Sequence, residues 1–220
     1  MQKKEPRLYL IRHGESDWNV QRRIQGNYSI NGLSEVGRKQ SGLLGGRLAG
    51  MEFHSVFCSN VQRAVETAEI ALGEDYEITF LDGLREISFG SWEGKLIEHI
   101  KKEFPGKIEK WFNEPTTVSI EGGEDLVDFS ERVLDTFAGI TRTADSGNVL
   151  VITHGGVICT YLTGLLGMDL DDLWCFSLPN ASVTTISLEY RPRLRLFGDT
   201  SHLDGESLGF DGMPSVYDRQ

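Results

Sequence analysis

The amino-acid sequence predicts a three-layer α/β/α fold with a mostly parallel sheet and a helical lid. Three observations predict it. Short apolar runs alternate with helical patterns along much of the chain, the order expected of βαβ units. Two of those runs, Leu8-Tyr9-Leu10-Ile11 and Val149-Leu150-Val151-Ile152-Thr153, are apolar throughout, as buried strands are. From about Trp92 to Thr143 no strand pattern occurs and only helical ones continue. A chain of 220 residues suits one well-buried core, or one core with an inserted lobe. The expectation is a single domain over residues 1–220, with a helical insertion at about 92–122 and a loosely held tail at 204–220.

The elements follow in order. A first strand covers Arg7 to Ile11. Asn31-Gly32-Leu33-Ser34 reads as a turn and helix cap, because the Ser34 hydroxyl can accept a free backbone N–H at a helix start. That helix runs to about Leu48 with apolar positions Val36, Leu43, Leu44 and Leu48. Gly42, Gly45 and Gly46 weaken it and permit close approach to the sheet. Ser55-Val56-Phe57-Cys58 is a short second strand. Ser59 with Gln62 matches a capping box for a helix from Asn60 to Leu72, with Val61, Ala64, Val65, Ala68 and Leu72 inward. Glu77 to Leu81 is a third strand. Leu96–Phe104 and Lys107–Asn113 read as lid helices, and Glu121-Gly122-Gly123 as a hinge-like loop. Leu126, Phe129, Val133, Phe137 and Ile140 recur at 3, 4, 4 and 3, which predicts a strongly amphipathic helix from about Glu124 to Thr143. Val149–Thr153 is a strand, and a helix follows from Gly156 to Leu166. After the loop Leu178-Pro179-Asn180-Ala181-Ser182, Val183–Leu188 and Leu194–Phe197 form a hairpin about Arg191-Pro192.

Composition excludes several classes. Hydrophobic content of 39% and charged content of 25% are those of an ordinary globular protein. A net charge of -11 argues against a nucleic-acid surface, which needs clustered Lys and Arg. An anionic substrate would be repelled at long range, so its site must carry concentrated positive charge. Arg12 and Arg63 are the candidates. Cys58, Cys159 and Cys175 lack metal-ligand spacing and lie in or beside apolar stretches, so they are expected to be buried reduced thiols. The first residues have no apolar core of a secretory signal, and no apolar run nears the ~18 residues that cross a bilayer. These readings predict a cytoplasmic protein with no membrane partner.

Two histidines carry the chemistry. His13, in Arg12-His13-Gly14-Glu15, and His154, in His154-Gly155-Gly156, each sit directly after an apolar strand. In a parallel sheet strand C-termini share one edge, where ligands bind, so the two can face each other. Neutral imidazole is a nucleophile near pH 7. In phosphoryl transfer catalysis is mostly positioning and electrostatic stabilisation, and guanidinium is the best side chain for the anionic oxygens. Arg12 adjoins His13, and Arg63 lies near a helix N-terminus, which itself attracts anions. His154, if protonated, adds a donor. His13 would attack through one ring nitrogen while a backbone carbonyl holds the proton on the other. Glu86 is the candidate general acid, because its apolar neighbours Leu84, Ile87, Phe89 and Trp92 would raise its pKa. His54 and His99 read as structural or solvated, and His202 lies in a polar turn that could border a site. Trp92, Trp111 and Trp174 read as packing. H-E-x-x-H, the P-loop, G-x-S-x-G and a two-metal carboxylate cluster are absent from the sequence, which leaves metal-free covalent catalysis as the economical reading.

Further segments complete a pattern: Trp18-Asn19 after Ser16, Gln25-Gly26, Leu33-Ser34-Glu35-x-Gly37, Ser59-Asn60-Val61-Gln62-Arg63-Ala64, and Phe89-Gly90-x-Trp92-Glu93-Gly94 after Glu86. With the two His-Gly segments, and in this order, they resemble the histidine phosphatase superfamily, also called phosphoglycerate mutase-like. The likeness runs from Leu8 to roughly Leu203. It implies that fold and a phosphohistidine intermediate on His13. It implies that Arg12, Arg63 and His154 hold the phosphoryl group and that Glu86 donates the proton. It also implies Asn19, Gln25, Gly26 and Gly155 as phosphate-pocket contacts, with no cofactor and no metal. Asn60 and Cys159 depart from the pattern, where the family often has Asp and Arg.

The resemblance spans phosphatases and mutases. Mutases of this kind that depend on bisphosphoglycerate carry a longer, more basic insert after the acid residue, whereas the segment after Glu93 here is modest. The ending Gly198-Asp199-Thr200-Ser201-His202-Leu203 resembles phosphatase members, including those similar to α-ribazole phosphatase and broad-specificity phosphatases. The favoured expectation is therefore a phosphomonoesterase acting on a small phosphorylated metabolite. A phosphoglycerate mutase-type transferase and a non-catalytic phospholigand-binding protein are the alternatives, and a homodimer is left open.

Overall fold

Six strands make one sheet: β1 (Arg7–Arg12), β2 (Ser55–Cys58), β3 (Ile78–Phe80), β4 (Val149–Thr153), β5 (Val183–Ser187) and β6 (Arg193–Asp199). Their spatial order is β3-β2-β4-β1-β5-β6. The β1–β4, β2–β4 and β2–β3 pairs are parallel, and β5 is antiparallel to both β1 and β6. The fold is thus α/β with a mostly parallel sheet, as the sequence predicts. The structure, a computed structural model, describes residues 5–74, 76–188 and 191–203. The expected tail at 204–220 lies outside the described residues, as do residues 189 and 190 beside the predicted hairpin turn.

The helices are α1 (Asp17–Val20), α2 (Glu35–Leu48), α3 (Gln62–Leu72), α4 (Ile97–Glu103), α5 (Lys107–Asn113), α6 (Leu126–Arg142) and α7 (Gly155–Leu166). Strand alternation distributes them on two faces. Ile11, Leu150 and Ile152 pack with Leu44, Ala64 and Ala68 of α2 and α3. Leu8, Leu10, Val149 and Val151 pack with Phe129, Val133, Val157 and Leu162 of α6 and α7. Ile97, Ile100, Ile108 and Trp111 extend that second core into α4 and α5.

Local sequence explains most of these boundaries. Ser34 Oγ accepts the Gly37 N–H at 3.0 Å, and the Asp125 carboxylate accepts from Val127 and Asp128, so α2 and α6 start on side-chain caps. The whole α6 stripe, Leu126, Phe129, Val133, Phe137 and Ile140, is buried. Helix α2 differs from its apolar pattern. Its buried face is Gly37, Gln40, Ser41, Leu44 and Leu48, while Leu43 is exposed. The reason is its neighbour: it packs on the loop after β1, where the Glu15 N–H donates to Gln40 Oε1 at 2.8 Å. Of the three glycines, Gly45 makes a close approach, to α3 rather than to the sheet, since a Cβ there would lie 2.7 Å from the Ala71 carbonyl, whereas Gly42 and Gly46 face open space.

Helix α3 begins two residues later than expected, at Gln62, and receives no side-chain cap. The Ser59 hydroxyl is engaged elsewhere, with His154. Val65 is only half-buried, and Arg63 and Thr67 join the inner face. Cys58 and Cys159 are buried as expected, but Cys175 is exposed, because it ends the 3₁₀ turn 170–175 rather than entering the core. Among the described residues no helix is long and apolar enough to cross a membrane.

Candidate active site

The parallel register of β1 and β4 sets Arg12 beside Thr153, so the next residues, His13 and His154, emerge side by side at the sheet edge. Their ring centroids lie 5.2 Å apart. The His13 N–H continues the ladder to the Thr153 carbonyl at 2.9 Å. Both rings are buried, at 3% and 0% exposure, which decides their charge: water is excluded from the imidazolium form. Burial first, then the Arg63 and Arg12 charges, hold the His13 pKa well below its ordinary value. Burial and then Arg63 do the same to His154. Both shifts favour the neutral imidazoles, so they lend no support to His154 as the cationic donor that the sequence reading allowed. Neutral His13 has one N–H, and the Gly14 carbonyl lies 2.7 Å from Nδ1, a site for it. Nε2 then keeps its lone pair, facing the Arg63 Nε–H at 3.1 Å.

Arg63 enters from the first turn of α3 and is 1% exposed. Its Nη2 donates to the Gly26 carbonyl at 2.8 Å and its Nη1 to the Tyr28 carbonyl at 3.4 Å. Thr67 braces this corner. Its hydroxyl donates to the Arg63 carbonyl at 2.7 Å and accepts the Gly14 N–H at 3.0 Å. Burial lowers the Arg63 pKa to about 10, which still leaves it charged at neutral pH. Arg12 is also buried and donates from Nη1 to the Leu178 carbonyl.

Glu86 approaches from the other side. Its Oε2 accepts the Gly156 N–H at 3.0 Å, in the first turn of α7, and Oε1 accepts the Ile87 N–H at 3.1 Å. Those bonds and the arginines favour the carboxylate, but desolvation of this half-buried group outweighs them and raises its pKa. A clamp from α6 holds the segment. Arg132 donates to the carbonyls of Gly83 and Arg85 at 3.0 Å each, and forks onto the Glu124 carboxylate at 2.8 Å.

Arg12, His13, Arg63 and Glu86 line a cavity of about 80 Å³ with Asn19, Gln25 and Gly26 on its wall, whereas His154, packed against the His13 ring, is not part of that lining. That is space for roughly six water-sized groups at ~10–15 Å³ each, enough for a phosphoryl group and the start of its ester. Asn19 Oδ1 accepts the Ser16 N–H at 3.0 Å, and Gln25 Oε1 accepts the Ser16 hydroxyl and the Asn31 amide at 2.7 Å each. Gly26 has φ +50°, and a Cβ there would collide with the Glu93 carboxylate, so only glycine presents its carbonyl to Arg63 without displacing Glu93. Gly155 lies behind the wall, where a Cβ would sit 3.5 Å from Arg12 Nε. His54 and His99 are exposed and away from the cavity, and His202 lies in the turn 201–203. Trp92 and Trp111 are packed, as expected, and also form part of the cavity wall. Among the described residues no group of three or more His, Cys, Asp or Glu side chains is placed to hold a metal ion.

Sequence reasoning missed the supports. Asn180 Nδ2 donates to the His13 carbonyl at 3.1 Å, and the Ala181 N–H, from a left-handed backbone at φ 55°, donates to the same oxygen at 3.0 Å. A non-glycine residue there carries strain, which is enriched at functional sites. The roles of Ser59, Thr67 and Arg132 in the site were equally silent, because the partners that define them, His154, Gly14 and the Gly83 and Arg85 carbonyls, are far away in sequence.

Comparison with known proteins fits this geometry. Residues 8–200 match the family model of the histidine phosphatase superfamily (branch 1), and the chain belongs to that superfamily. Phosphoserine phosphatase 1 of Hydrogenobacter thermophilus is 34% identical over 199 residues, covering 90% of this chain and 94% of that protein. A protein of Salmonella choleraesuis named probable phosphoglycerate mutase GpmB is 30% identical over 208 residues, covering 91% and 96%. The solved structure of Bacillus stearothermophilus YhfR superposes with a TM-score of 0.85 at 35% identity, covering 90% of this chain and all of that one. The family and its phosphatase members support phosphatase activity.

Proposed function

We propose that the protein is a metal-independent phosphomonoesterase that hydrolyses a small phosphate monoester through a phosphohistidine on His13. The observation that carries this reading is the His13 ring: Nδ1 on the Gly14 carbonyl, Nε2 bearing the lone pair, and a guanidinium at 3.1 Å from it. In the first step Nε2 attacks phosphorus, and the Arg63 Nε–H turns from the lone pair to a phosphoryl oxygen. The bond to the ester oxygen breaks as Glu86 gives that oxygen its proton, a contribution of about 10²–10⁴-fold. Arg12, Arg63 and His154 stabilise the charge on the three peripheral oxygens, with the Asn19 and Gln25 amides and Gly26 on the surrounding wall. In the second step the Glu86 carboxylate takes a proton from water. The water oxygen bonds to phosphorus, the N–P bond breaks, and inorganic phosphate leaves with His13 neutral again.

The test is a chromogenic phosphate ester with EDTA present. Wild type turns it over and, on quench in alkaline denaturant, shows a phosphoenzyme that is stable to alkali and lost in acid. His13→Ala shows neither. Substantial turnover by His13→Ala, or abolition of wild-type turnover by EDTA, overturns the reading. The GpmB likeness favours a second reading, mutase-type transfer on a phosphorylated sugar acid. That enzyme would exchange phosphoryl groups between positions with little release of phosphate.

A further inference from the structure

The lid side of the cavity wall is apolar. The turn after Glu86 supplies Phe89 and Trp92, α4 supplies Ile97, and α5 supplies Ile108, Trp111 and Phe112. These rings are fixed in place. Phe89 meets Trp111 edge-on at 5.2 Å, and Phe112 meets Trp174 edge-on at 5.8 Å. Positive charge is sparse on this wall. Among the described residues the cavity meets one cation besides Arg12 and Arg63: Arg23, two of whose donors, Nε and Nη1, are held by Gln21 and the Gly94 carbonyl. Of the lid lysines, Lys102 and Lys110 are exposed and outside the cavity lining, and the other three are turned to other work. Lys95 pairs with Glu103, Lys101 pairs with Glu109, and the Lys107 ammonium lies over the Trp92 and Phe104 rings at 5.7 and 5.4 Å.

A phosphate ester places its phosphoryl group between the arginines and its alcohol portion against the remaining wall. A carboxylate on that portion would lose water against aromatic rings, inside a chain of net charge -11, with little to replace the lost hydration. An apolar ring or branched alkyl group there gains from burial with each methylene. We infer that the site selects phosphomonoesters of apolar alcohols, aromatic or branched alkyl, over those of amino acids and sugar acids. This rests on the phosphatase reading and names its substrate class.

The experiment compares alkoxide leaving groups of similar basicity: phenethyl phosphate, phosphoserine and phosphoglycerate. Phenethyl phosphate should show kcat/KM at least tenfold above both acids, the scale of discrimination by an apolar pocket. Trp111→Ala should shrink that ratio by about tenfold. Phe112→Arg, on a half-buried residue, should shift it towards the acids. Each ratio is taken within one variant, so a reduced folded fraction cancels. Phosphoserine or phosphoglycerate equal to or better than phenethyl phosphate in the wild type overturns the inference and leaves the phosphatase reading standing. No hydrolysis of any ester and no phosphoenzyme would take down both.

Discussion

Ser59 Oγ lies 2.8 Å from His154 Nε2, joining residues 95 apart in sequence, and both are fully buried. The Ser59 oxygen also accepts the Val61 N–H at 3.4 Å, and among the described residues His154 Nε2 is the acceptor within reach of its proton. Neutral His154 therefore takes that hydrogen bond at Nε2 and carries its own proton on Nδ1, a buried atom with no partner among the described residues. In the mechanism proposed above, an uncharged imidazole is thus enough to supply a hydrogen-bond donor to the phosphoryl group. Ser59→Ala should lower kcat about ten- to a hundredfold, less than loss of an entire donor, and Ser59→Thr should restore most of it. Nitrogen chemical shifts of the His154 ring report the tautomer directly. An unchanged Nδ1–H tautomer and unchanged kcat in Ser59→Ala would remove Ser59 from this role.

Glu86 stands or falls by the alcohol it protonates. Glu86→Gln should slow alkyl esters by about 10²–10⁴-fold and p-nitrophenyl phosphate far less, because nitrophenolate leaves without a proton. Gly156→Ala supplies a second route to the same state. A Cβ there would lie 2.3 Å from Glu86 Oε1, so the carboxyl must leave its place at the start of α7. Equal losses on both ester types in either variant would show that Glu86 is not the acid.

The strand ends and the α6 stripe were legible because they depend on local periodicity. An apolar run followed by His-Gly places His13 and His154 at a sheet edge, and one turn of helix places Arg63. The supports were not legible, because their partners are tertiary. Ser59 with Gln62 satisfies a local capping pattern, yet the Ser59 hydroxyl sits against a buried imidazole, and the Gln62 N–H donates to the Ser29 carbonyl instead. Asn180 sits in a loop without periodicity and acts through a backbone carbonyl across the sheet. In α2 the inward Gln40 and Ser41 defeat an apolar pattern, since the face they meet is backbone, which needs hydrogen bonds.

Arg132 never reaches the cavity, but it holds the segment that does. Loss of its fork strands the Gly83 and Arg85 carbonyls and the Glu124 carboxylate together. Arg132→Gln should cost about 1.5–3 kcal/mol of stability, the range for hydrogen bonds to a charged group, discounted towards the lower end because the pair is partly exposed. It should also reproduce the Glu86→Gln pattern more weakly, with alkyl esters losing more than p-nitrophenyl phosphate. Urea unfolding measures the first effect and the ester ratio the second. Stability loss with an unchanged ratio would make Arg132 a purely structural residue.

The same buried groups set opposite dependences of stability on pH. His13 and His154 titrate in the folded protein well below the ~6.5 of an unfolded chain. Below about pH 6.5 the unfolded state binds more protons, so their contribution is present above that value and is lost as pH falls. The loss approaches about 1.4 kcal/mol per histidine for each further pH unit until the folded value is reached. Glu86 runs the other way. Its folded pKa is raised above the ~4.3 of an unfolded chain, so its contribution is present at low pH and is lost as pH rises through the folded value. Urea midpoints at pH 5.5 and 7.5 separate the two. Wild type should be less stable at pH 5.5, and His154→Asn should flatten that dependence. Glu86→Gln should gain stability relative to wild type at pH 7.5 and lose that gain towards pH 4, the expected behaviour of an acid kept for its reaction at a cost to the fold. A Glu86→Gln variant less stable than wild type at pH 7.5, with the deficit vanishing in acid, would mean that the arginines and backbone N–H groups outweigh burial and that Glu86 is an ordinary carboxylate.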